Sequence, residues 1–115
     1  MKPAKFLAKQ KPKAVALLSD LVSTPTVNPP GTNYRAMVEC LKNHCQRVGL
    51  KAKILPVKID PQAVPPAYTA DSLRLHPRYN LLARWDVGAG RTLHFNSHYD
   101  VVPAPTVGWN TPPFQ

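Results

Sequence analysis

The residues best suited to chemistry fall together in the run Leu93-His94-Phe95-Asn96-Ser97-His98-Tyr99-Asp100-Val101-Val102-Pro103. An imidazole and a carboxylate two positions apart project to the same side of an extended chain. If a strand over residues 92–97 leaves its sheet here, His98 and Asp100 stand where α/β proteins place their chemistry. His98 can then ligate a metal through one ring nitrogen while Asp100 fixes the ring through the other, as zinc histidines usually need. The competing reading is an ordinary surface His–Asp pair, which spacing alone does not exclude. His94 precedes His98 by four residues, but four residues of strand span about 13 Å. That is too far for two ligands of one ion, so His94 is expected to pack or to sit at a rim. His44 and His76 lack partners in sequence and are given no role.

Cys40 and Cys45 fall in a helical pattern, about 7.5 Å apart along its axis and pointing in different directions. That separation exceeds the roughly 7 Å limit for a disulfide, so two reduced, partly packed thiols are expected. They fit a reducing compartment.

The elements that must position these side chains follow from periodicity and punctuation. Residues 11–23 read as a helix with the stripe Val15, Leu18, Leu21 and Val22, with Pro12 in its first turn and Thr24-Pro25 as its end. Pro25 to Gly31 (PTVNPPG) is a fixed-φ loop. Thr32 is placed to cap a second helix over residues 33–48, whose buried face is Tyr34, Met37, Val38, Leu41, Cys45 and Val48, and Gly49 stops it. Lys51 to Ile59 alternates lysine with apolar residues, a strand that Pro56 confines to an edge or a bulge. A proline-rich excursion from Asp60 to Pro77 follows, of a length that is usually functional or disordered. Tyr79–Val87 and Thr92–Ser97 are two further strands, with Gly88 to Arg91 as a four-residue hairpin loop between them. The expected fold class is α/β, with the Leu18/Leu21 and Met37/Leu41 faces of the helices against the sheet.

Composition bounds the function. At 115 residues, 43% hydrophobic and with 14 prolines, the chain allows one modest domain and excludes a second full one. No apolar run approaches the roughly 18 residues of a membrane span, so no membrane partner is expected. The formal net charge of +9, from 15 Lys and Arg against 6 acids, suggests a polyanion partner. Its distribution argues otherwise: Lys2, Lys5, Lys9, Lys11 and Lys13 form a basic tail over residues 1–13, and the remainder are scattered. No RNA- or DNA-binding signature accompanies them, so no nucleic-acid partner is expected. No secretory or mitochondrial signal is evident, and a cytoplasmic location is the default.

The run Phe95 to Pro103 (FNSHYDVVP), followed by Trp109 and Pro113-Phe114, resembles the first metal-binding motif of the acetylornithine deacetylase, succinyl-diaminopimelate desuccinylase, aminoacylase and carboxypeptidase G superfamily of metallopeptidases. Leu17 to Gly31 (LLSDLVSTPTVNPPG) is similar to that family's opening helix and loop, and Arg78 to Arg84 (RYNLLAR) to the strand before the motif. The resemblance implies residues 14–115 as the first part of a catalytic domain, with a zinc-exopeptidase-like mixed sheet flanked by helices and incomplete in these residues. It implies an amidohydrolase with two metal ions, usually zinc, with cobalt or manganese possible, acting on a small N-acyl amino acid or peptide. His98 matches the first metal ligand, and Asp100 the catalytic-centre carboxylate that orients that histidine without being a ligand. Ser97 stands where many members have glycine.

The family's metal-bridging aspartate, glutamate pair, further carboxylate, final histidine and lid or dimerisation domain have no counterpart up to Gln115. A catalytic zinc needs about three protein ligands plus water, and the only glutamate is Glu39 on the second helix. The expectation is an N-terminal piece of such an enzyme, inactive by itself, with a homodimer possible only for a full-length form. The alternatives are a non-catalytic basic module that retains the motif, and an interaction protein that pairs through an open strand edge.

Overall fold

The computed structural model describes residues 2–115. They divide into two compact units: one comprises the residues up to Pro25 together with Ala104–Gln115, the other Thr26–Pro103.

The first unit is built on helix α1, Pro3–Val22. It begins a full two turns earlier than periodicity suggests, with Pro3 in its first turn and Pro12 in its interior. Proline costs a helix one N–H and a clash with the preceding turn. The Ala-, Lys- and Leu-rich residues around Pro12 are strong helix formers and carry the helix through it. The five lysines expected as a tail therefore lie on or beside α1, all of them exposed. Ser23 closes the helix, its N–H and hydroxyl both donating to the Ser19 carbonyl. No residue of α1 is buried; of the expected Leu18/Leu21 face, Leu18 is 60% exposed and Leu21 is half-buried.

The second unit contains helix α2 (Tyr34–Arg47), strand β1 (Lys51–Val57), a 3-10 turn (Pro61–Ala63), helix α3 (Ala70–Leu75) and strand β2 (Arg78–Arg84). β1 and β2 form a two-stranded antiparallel sheet running from Lys51↔Arg84 to Val57↔Arg78. In this register Ala52, Ile54, Leu81 and Ala83 share one face, and α2 packs on both strands. Pro56, opposite Tyr79, is tolerated because both strands are edges. The core is small: Val38 is fully buried, with Met37, Tyr34 and Thr26 beside it. Leu41 and Cys45 are half-buried, but Val48 is exposed because it follows the last turn.

Gly49 ends α2 as expected. At φ 85° it lets its own N–H reach the Gln46 carbonyl and the Leu50 N–H reach that of Cys45. Thr32 is not the N-cap; Asn33, in the left-handed region at φ 56°, takes that place, and the Thr32 hydroxyl accepts from the Val27 N–H instead. The proline-rich excursion is ordered around two caps, Asp60 accepting from Gln62 N–H and Thr69 from Ser72 N–H.

The largest correction concerns the third strand. Residues 92–97 form no strand, and the hairpin through Gly88 to Arg91 is not formed. The alternation Leu93, Phe95 is strand-like, yet a strand exists only where another backbone satisfies its N–H and C=O groups. Leu93 and Phe95 remain 77% and 85% exposed. No helix among the described residues is long and apolar enough to cross a membrane.

Candidate functional site

The site is assembled on the loop before α2. Val27 and Val101 form an isolated parallel bridge, in which Asn28 N–H donates to the Val101 carbonyl (2.8 Å) and Val101 N–H to that of Thr26 (2.9 Å). The buried Thr26 hydroxyl adds a bond to the Tyr99 carbonyl at 2.8 Å. Residues 99–101 are thus fastened to residues 26–28. The Asn28-Pro29 and Pro29-Pro30 peptides of this loop are cis.

Arg78, at the start of β2, secures the other side of the loop. Its guanidinium donates to the carbonyls of Pro30 (2.6 Å) and His76 (2.5 Å) and lies over the rings of Tyr34 (4.9 Å) and Tyr68 (5.7 Å). Gly31 makes room for it: φ is 99°, and a Cβ there would overlap the guanidinium.

His98 and Asp100 meet as their spacing suggests, although from an irregular segment rather than from the end of a strand. The expected strand terminus beneath His98 is corrected accordingly; the Val27–Val101 bridge does the positioning. His98 Nδ1 lies 2.9 Å from the Asp100 carbonyl oxygen and 3.1 Å from Oδ1. A carbonyl oxygen can only accept, so Nδ1 carries the proton and donates to both. The neutral ring then has its lone pair on Nε2, and the side chain is 86% exposed. This suits one coordination position of a zinc ion. One imidazole fills one position, and among the described residues no three His, Cys, Asp or Glu side chains converge to hold a metal.

Asp100 is the hub. Its Oδ2 accepts from Asn28 Nδ2 (2.8 Å) and from the Tyr34 hydroxyl (2.9 Å), while Oδ1 faces His98. Burial pushes its carboxyl pKa up, but the hydrogen bonds from Tyr34, Asn28 and His98 outweigh it and hold the group below the ordinary aspartate range. Burial and then the bond to Asp100 push the Tyr34 hydroxyl well above the usual tyrosine value. Burial, followed by the Asp100 charge, raises Tyr99 as well. Tyr99 packs edge-on against Tyr34 at 5.1 Å and donates to the Tyr79 carbonyl at 2.7 Å. Tyr68, from the proline-rich excursion, donates to Asn28 Oδ1 at 3.0 Å.

An open depression of about 610 Å³ lies over these groups, lined among others by Asn28, Tyr34, Ile59, Arg78 and His98. His94 is exposed in the same irregular stretch. His44 meets the Arg47 guanidinium on α2, and His76 contributes its carbonyl to Arg78. Cys40 and Cys45 are free and half-buried. Spacing in the sequence brings His98 and Asp100 together, but nothing in that spacing marks the contacts of Asn28, Tyr68 and Arg78 around them, and Tyr34 reads there only as core. The asparagine inside PTVNPPG was the one available signal, since a stiff loop that presents an amide is suited to hold a partner; nothing local marks Tyr68 or Arg78. No protein-family model, curated protein or solved structure matches this chain.

Proposed function

We propose that this chain supplies the first metal-ligand segment of a metal-dependent amidohydrolase that cleaves an amide of a small N-acyl amino acid or peptide. In this reading its α/β unit belongs to a zinc-exopeptidase-like sheet. The observation that carries the reading is the geometry of His98: Nδ1 lies within hydrogen-bond distance of the Asp100 carbonyl and Oδ1, and the side chain is 86% exposed, so the neutral ring offers the lone pair of Nε2 to a metal. A zinc ion completed by further ligands would act there as a Lewis acid that activates water. Asp100 orients the histidine, and the depression beside it offers room for a small acyl group.

Zinc titration of the ¹⁵N-labelled chain tests the proposal, with His98→Ala as control. Zinc is expected to perturb His98 Nε2 selectively and weakly, and the chain alone is expected to release no acyl group from N-acyl amino acids with zinc, cobalt or manganese. One histidine does not hold a catalytic zinc, and the only glutamate, Glu39, is paired with Arg35 on α2. Indifference of His98 to zinc would overturn the reading. The formal charge of +9 favours a second reading, a basic binding module. That module predicts binding to RNA or DNA that weakens steeply with salt, and binding of this kind without any zinc response at His98 would establish it instead.

A further inference from the structure

We propose that Tyr34, Asn28 and Tyr68 are positioning residues that set the tautomer of His98 through the Asp100 carboxylate. The use made of that tautomer rests on the metal-ligand reading of His98; the device itself does not. An unconstrained neutral histidine side chain prefers its proton on Nε2, which would point an N–H, rather than a lone pair, at an incoming metal. Here the proton is on Nδ1, so the surroundings must supply acceptors placed well enough to reverse the preference.

One acceptor, the Asp100 carbonyl at 2.9 Å, is held by the backbone. The other, Oδ1 at 3.1 Å, is held by side chains. Oδ2 accepts from both the Tyr34 hydroxyl and Asn28 Nδ2, which pins the carboxylate plane and turns Oδ1 toward the ring. Asn28 presents its NH2 to Asp100 and not its oxygen because Tyr68 donates to Oδ1 of the amide. A flipped amide would set oxygen against carboxylate oxygen. Tyr34 is itself immobilised, buried at the start of α2 between the Arg78 guanidinium and the edge contact with Tyr99. A relay therefore runs from Tyr68 through Asn28 to Asp100, with Tyr34 bracing it, and ends at the imidazole. Its members come from three separate stretches of the chain, and the docking of residues 99–101 on residues 26–28 brings Asp100 to Asn28.

The test is long-range ¹H–¹⁵N spectroscopy of the labelled chain at about pH 9, above the ordinary imidazole range, where neutral tautomers are read directly. In the wild-type chain His98 is expected mainly as the Nδ1–H form. Tyr34→Phe and Asn28→Leu should each shift its tautomer ratio about three- to tenfold toward Nε2–H, the change expected for one lost hydrogen bond, and Tyr68→Phe should do so less. The shift stops short of complete reversal because the backbone carbonyl remains. An Nε2–H ring in the wild type, or an unchanged ratio in folded Asn28→Leu and Tyr68→Phe, would overturn the relay. If Tyr34→Phe fails to fold, those two variants and the wild-type ratio still decide. Zinc added to the same samples separates the two claims: a relay that responds in a chain whose Nε2 ignores zinc leaves the positioning intact and removes the metal reading.

Discussion

Asp100 carries three side-chain hydrogen bonds on two oxygens, from Tyr34, Asn28 and His98. Each bond is stronger to the anion than to the acid, so ionisation of Asp100 and folding support one another. Its folded pKa lies below the ordinary value, so the stabilisation is present above the unfolded aspartate pKa of about 3.9 and is lost as pH falls through the folded value. Tyr34 works in the opposite sense: its hydroxyl is raised, and its contribution is present below about pH 10 and is lost as pH rises. In urea unfolding the wild type is expected to exceed Asp100→Asn in stability at pH 7. The gap should narrow steadily below about pH 4, whereas a pH-independent gap would show that the charge of Asp100 contributes nothing.

At the scale of elements, α2 and the β1–β2 pair are held by very few buried residues, so each one weighs heavily. Val38→Ala is expected to cost roughly 2 kcal/mol, from the lost transfer energy and a residual cavity. Leu82→Ala, on the exposed face of β2, should fall within about 0.5 kcal/mol of wild type. Both differences can be read from denaturant midpoints. The loop before α2 makes a second comparison. Gly31 and Gly49 both adopt positive φ, but a Cβ at Gly49 meets open space while one at Gly31 meets Arg78. Gly49→Ala should cost about 1 kcal/mol of backbone strain. Gly31→Ala should cost more and should also disturb the Arg78 bonds to Pro30 and His76, seen as shifted backbone resonances at residues 30 and 76. Equal costs would mean that the Arg78 contact is not made in solution.

At the scale of the whole molecule, apolar surface is left uncovered: Trp85, Val87, Leu93, Phe95 and Val102 are each more than 70% exposed. Large apolar side chains in such numbers, beside two strands with free edges, favour association. Sedimentation velocity of the purified chain is expected to show mass that grows with concentration, and Leu93→Ser with Phe95→Ser should reduce it. A strictly monomeric wild type at high micromolar concentration would count against this.

What could be read without coordinates was whatever depends on neighbours in sequence. The glycine stop after α2, the alternation of β1, the separation of Cys40 from Cys45, and the projection of His98 and Asp100 to one side all follow from local geometry. Local patterns also misled. Pro12 is compatible with a first turn, yet the helix-forming residues before it extend α1 back to Pro3, and residues 92–97 alternate like a strand although alternation says nothing about whether a partner backbone is present. Tertiary structure alone decided what surrounds the pair. Asn28, Tyr34 and Tyr68 lie between 40 and 72 residues from the groups they bond, Arg78 lies 48 residues from the Pro30 carbonyl, and no periodicity links them. They converge because a part-buried carboxylate is held by the donors that reach it, and a folded loop is held by side chains that reach it through space.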